Sequence, residues 1–137
     1  MISEILMVSS AAIILLLGSM HLVFTFFGSR MQPRDPGLRA RMDAVSPVIS
    51  RDTTMWRAWI GFNASHSLGA MLFGMVYGYL AFCHAELLFG SSFLLAVGFA
   101  MLVAFLLLAR TFWFRIPLAG ISVALACYAG SILIQRF

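Results

Sequence analysis

Two histidines, His21 and His66, stand inside otherwise apolar stretches of this 137-residue chain, each with a hydrogen-bonding companion at helical spacing. Thr25 follows His21 by four positions and Asn63 precedes His66 by three, so on a helix each pair shares a face. Polar groups inside apolar spans are costly, which makes them the first place to look for function. His21 lies about 9 Å along a helix from Phe27, and His66 about 13–14 Å from Arg57, at 1.5 Å per residue. Consecutive antiparallel helices are usually neighbours, so the two imidazoles can approach each other or flank one ligand.

Three chemistries compete for these residues. Neutral His, Asn, Ser and Thr side chains bond across helices, each bond contributing around 0.6 kcal/mol. Alternatively, two histidines on facing helices hold a haem (haem b) by axial ligation. The third is a pocket for a quinone, a lipid or another apolar ligand, oriented by one or two polar groups. A metal site is not expected, because no carboxylate or cysteine shares this depth. Cys83 and Cys127 are unclustered and read as small packing residues. The chain has no nucleophile–His–acid set, no glycine-rich phosphate loop, no intramembrane carboxylate and no inverted repeat of the transporter kind. A lipid-modifying enzyme using His66 as acid/base is the weakest expectation, and the balance leans to a non-enzyme.

The elements that carry these residues follow from composition. With 62% apolar and 10% charged residues and a mean hydropathy of +0.99, a chain this short cannot build a polar shell. A hydrocarbon core about 30 Å thick takes roughly 20 helical residues to cross. Four apolar runs suffice, at about 5–27, 55–82, 90–109 and 116–134. The expectation is an all-α membrane protein, a single four-transmembrane-helix bundle over residues 1–137. Met1-Ile-Ser-Glu4 lacks a basic n-region, so the first run is expected to be a span rather than a removable signal.

All nine basic residues are arginines, and eight of them flank the first and third connections. This is a topology signal rather than a nucleic-acid footprint, and it places those connections in the cytoplasm and both termini on the non-cytoplasmic side. In the long first connection, Asp35-Pro36 reads as an N-cap and first helical position. Leu38, Met42 and Val45 then form an apolar stripe. The pattern suggests a short interfacial helix, ended by Pro47, with Arg34, Arg39 and Arg41 toward lipid headgroups. Trp56, Trp59 and the Phe112-Trp113-Phe114 run suit the same interface.

Small residues mark where helices can pack closely. Gly61, Ser65 and Gly69 are spaced by four, as are Ala70, Gly74 and Gly78; Gly74-Met-Val-Tyr-Gly78 is a GxxxG motif. The third span carries Ser92, Ala96, Ala100 and Ala104, and the fourth Gly120 and Ala124, then Cys127 and Ser131. More such ladders are present than a bundle this small needs, which suggests an outside partner.

His21-Leu-Val-Phe-Thr25-Phe, the Arg/Pro loop and Trp59-Ile-Gly-Phe-Asn63-Ala-Ser-His66-Ser-Leu-Gly69 resemble a group of small bacterial four-span membrane proteins with no assigned activity. The likeness covers roughly the first two spans and implies only the four-helix topology, with no catalytic residue carried over; the expected location is a bacterial inner membrane. DoxX-like four-span proteins are similar in architecture alone, and fold does not give function. The expected function is therefore an accessory or structural subunit packed against other integral membrane subunits of a larger complex, of the energy-transducing (respiratory or photosynthetic) kind. The alternative is a four-helix protein binding haem, quinone or lipid through His21 and His66. Membrane lipids are expected at the surface in either case.

Overall fold

The computed structural model describes residues 1–136, and among them every regular element is helical. In chain order these are α1 (Ile2–Phe26), α2 (Pro36–Ala44), α3 (Met55–Cys83), α4 (Ala85–Gly90), α5 (Ser92–Phe112) and α6 (Arg115–Arg136). Four of them, α1, α3, α5 and α6, are long and apolar enough to cross a membrane, consistent with a multi-pass membrane protein. Helix is the form such sequences must take in lipid, because it satisfies the backbone within the segment. Their limits lie within about three residues of the apolar runs. Helix α4 was not anticipated: His84 and Glu86 interrupt the apolar run, and the stretch reads as a connection.

The helix ends follow local chemistry. Gly28, at φ +82°, takes the left-handed conformation that lets the chain leave α1 without a Cβ clash. The Asp35 side chain accepts from the Gly37 N–H at 2.8 Å, which caps α2, with Pro36 just inside. Ser91 ends α4 and caps α5, its hydroxyl accepting from the Leu94 N–H. Pro117 falls in the first turn of α6, where no intrahelical donor is lost.

The chain forms two compact units: Met1–Leu17 with the chain from Ala70 on, and Gly18–Gly69. In the first unit, close packing is set by small residues. A Cβ on Gly74 would lie 2.6 Å from Leu15 Cβ and 2.7 Å from the Ala11 carbonyl oxygen, and Gly78 faces the Ala11 methyl. The GxxxG motif is therefore filled by α1. Gly98 on α5 receives the Tyr77 ring, whose Cε1 would be 2.6 Å from an added Cβ, together with the Tyr128 hydroxyl. Tyr77 donates to the Leu94 carbonyl at 2.7 Å and Tyr128 to the Leu95 carbonyl at 3.0 Å. The two rings meet edge to face at 5.9 Å, and Phe73 stacks on Tyr77. Gly120 admits Leu17, and Ala124 and Ser131 are fully buried. Ser3 bonds Gln135 at 2.8 Å, joining the start of α1 to the end of α6. Cys83 closes α3 and is exposed; Cys127 is half-buried.

Candidate functional site

The second unit gathers the end of α1, the first connection with α2, and the start of α3. Its organising residue is Asn63. The amide Nδ2 donates to the Trp59 carbonyl one turn back, at 2.8 Å, and this turns Oδ1 toward His21 Nε2 at 3.1 Å. An amide oxygen only accepts, so His21 must present its hydrogen on Nε2. The His66 ring meets the His21 ring edge to face, with centroids 5.6 Å apart and planes at 85°. Ser67, fully buried, donates to the Asn63 carbonyl at 2.8 Å. Thr25 is buried too, but its hydroxyl donates to the His21 carbonyl on its own helix.

His21, Asn63 and His66 thus form one contiguous cluster, with Thr25 a turn away on α1. Both imidazoles are half-buried, while Asn63 is 8% exposed. Axial ligation of one iron needs the two Nε2 atoms pointing at the metal from opposite faces of a porphyrin, with the macrocycle plane between the rings. Here the rings touch and His21 Nε2 is engaged by Asn63, so the geometry favours hydrogen bonding between α1 and α3 over haem ligation. Among the described residues no group of three or more His, Cys, Asp or Glu is arranged to hold a metal ion.

The small-residue ladders divide into two kinds. Gly74, Gly78, Gly120 and Ala124 face other helices of the first unit. Gly61 and Gly69 have nothing within 4 Å of an added Cβ, and Ser65 between them is exposed. On α5, Ser92, Ala96, Ala100 and Ala104 are all exposed, while Leu95, Gly98, Leu102, Phe105 and Ala109 form the buried stripe.

The loop arginines also differ among themselves. Arg34 and Arg41 are exposed. Arg39 pairs with Asp43 and lays its guanidinium 3.6 Å over the Trp56 ring. Arg30, which the loop pattern did not single out, sits 4.2 Å over Phe24. Trp59 Nε1 donates to the Met31 carbonyl at 3.2 Å, tying the loop to α3. The two tryptophans therefore anchor the connection to α3.

Sequence reasoning missed Tyr77, Tyr128 and Gly98. The cost argument that singled out the histidines applies equally to a tyrosine hydroxyl in mid-span, and would have found the two rings. Gly98 carried no pattern, being outside every four-residue ladder. Compared with models of known protein families, with curated proteins and with solved structures, the chain gives no match.

Proposed function

We propose that this protein is a small accessory subunit of a larger membrane complex, held in the bilayer by α1, α3, α5 and α6. The Arg-rich connection and the amphipathic α2 lie at the cytoplasmic interface, and the termini lie outside. The bacterial inner membrane and an energy-transducing complex are the setting this reading adopts. The observation that carries it is the pair of outward ladders, Gly61/Ser65/Gly69 on α3 and Ser92/Ala96/Ala100/Ala104 on α5. Lipid does not reward a groove of small residues, whereas another helix gains close van der Waals contact there.

Cysteine scanning tests the proposal. With Cys83 and Cys127 replaced, Ser65→Cys and Ala100→Cys in native membranes should each crosslink to a heterologous protein. Ala96→Leu with Ala100→Leu should abolish co-migration in mild detergent. A crosslinked band at twice the chain mass, or migration only as a free 15 kDa species, would overturn the proposal.

A second reading, an apolar ligand such as a quinone or lipid oriented by His21 and His66, is supported by the half-exposure of both rings. It predicts a co-purifying ligand lost in His66→Ala; a preparation free of extractable quinone and lipid sinks it. A Soret band lost in His21→Ala would revive the haem variant.

A further inference from the structure

The second unit contains two adjoining recesses that share Met31 and Gln32 in their walls. One, about 370 Å³, is walled by Met31, Pro33, Met42 and Trp59, with Arg30 and Gln32 completing it. The other, about 290 Å³, includes Thr25, Gln32, Arg39 and Trp56 in its lining. Both are built where α1 ends and α3 begins, which are the ends of two candidate spans. That is the level at which lipid headgroups meet the hydrocarbon, whichever side of the membrane it is.

The chemistry of the two walls differs. The first is mainly apolar, thioether and indole, with a guanidinium at one position. The second shares the Gln32 amide and adds a hydroxyl and a second guanidinium. Each guanidinium stands on an aromatic ring, Arg30 on Phe24 and Arg39 on Trp56. Stacking fixes the plane of a planar, permanently charged fork that matches phosphate oxygens. Asp43 takes one hydrogen of Arg39, at Nη1, out of the five that a guanidinium carries. Across the whole unit six arginines face three aspartates and no glutamate or lysine, so the surroundings are cationic.

We infer that these recesses bind one anionic phospholipid, with its phosphate between Arg30, Arg39 and Gln32 and the upper part of an acyl chain against Met31, Met42 and Trp59. The inference rests on the membrane-spanning part of the proposed function and not on the existence of a partner complex. It differs from general attraction of basic loops to anionic membranes in requiring the two arginines that stand on aromatic rings, the exposed Arg30 and the half-buried Arg39, rather than Arg34 and Arg41.

Trp56 and Trp59 lie in the site and report on it. In a Trp113→Phe background, the full chain is reconstituted in phosphatidylcholine vesicles, and flotation establishes insertion. Phosphatidylglycerol or phosphatidylcholine with brominated acyl chains is then added at equal low mole fraction, and tryptophan quenching is read. The expected result is stronger quenching by phosphatidylglycerol, saturating near one lipid per chain. Affinity should fall about fivefold for each guanidinium lost in Arg30→Gln and Arg39→Gln. Arg34→Gln with Arg41→Gln should leave selectivity in place. Arg39→Lys keeps the charge and should still weaken binding, because an ammonium is no planar fork. Inorganic phosphate at millimolar concentration should not relieve the quenching; relief would assign the site to a soluble anion and overturn the inference. Equal quenching by the two lipids, or selectivity surviving both glutamine substitutions in an inserted protein, would also overturn it. Failure to float overturns the membrane reading itself. Should Arg39→Gln fail to insert, Arg30→Gln alone decides.

Discussion

Two polar junctions of this molecule are built to opposite plans. At Tyr77 and Tyr128 the hydroxyls are sunk among apolar side chains and end on backbone carbonyls of α5. At His21 and Asn63 a side chain meets a side chain, and the imidazoles keep part of their surface open. A hydroxyl ending on the backbone has one arrangement, fixed by the glycine that lets the ring in. A side-chain pair can re-form in another arrangement if either partner turns. The first plan suits a rigid packing joint, the second a place where the molecule can respond.

The strongest way to break this contrast is to fill the inward glycines. Gly74→Leu and Gly98→Leu should each cost about 3 kcal/mol or more, read by denaturant unfolding in detergent, since the atoms met at Gly74 include backbone that cannot yield. Gly61→Leu and Gly69→Leu, where an added Cβ meets nothing, should leave that midpoint unchanged while disrupting co-migration with a partner. Equal destabilisation by the two sets would erase the division between inward and outward ladders. Next in size, Asn63→Leu should cost about 0.6 kcal/mol, as an interhelical bond in lipid does. It should also release the His21 Nε2–H, a change visible in the imidazole nitrogen NMR signals. An unchanged His21 spectrum would mean Asn63 does not set the tautomer. Smaller in global effect, Asp35→Ala should remove about 1 kcal/mol of local capping from α2. Its signature is faster amide exchange at Gly37 and Leu38, with α3 undisturbed.

What could be read from sequence, and what could not, follows the same physics. Length and apolarity give the four long helices, and Asp35-Pro36 gives the start of α2, because local chemistry alone decides them. Which face each helix buries was not legible. Apolar residues surround every long helix, so periodicity selects no side, and the ladders on α5 and α3 look alike whether turned in or out. Spacing and depth brought His21 and His66 to the same neighbourhood. The role of Asn63 as the group that orients His21 depends on a carbonyl, that of Trp59, and a carbonyl leaves no mark in a sequence. Arg30 and Arg39 were indistinguishable from the other loop arginines until the aromatic rings beneath them were known.

The exposed thiol at the last turn of α3 has a practical consequence. Cys83 belongs to the opposite end of that helix from Trp56 and the arginines, so it is a natural reporter of which way the protein threads the bilayer. A maleimide too polar to cross a membrane should modify it in intact cells if the termini are external. With inside-out vesicles the same reagent should leave it untouched, and no residue need be changed to find out.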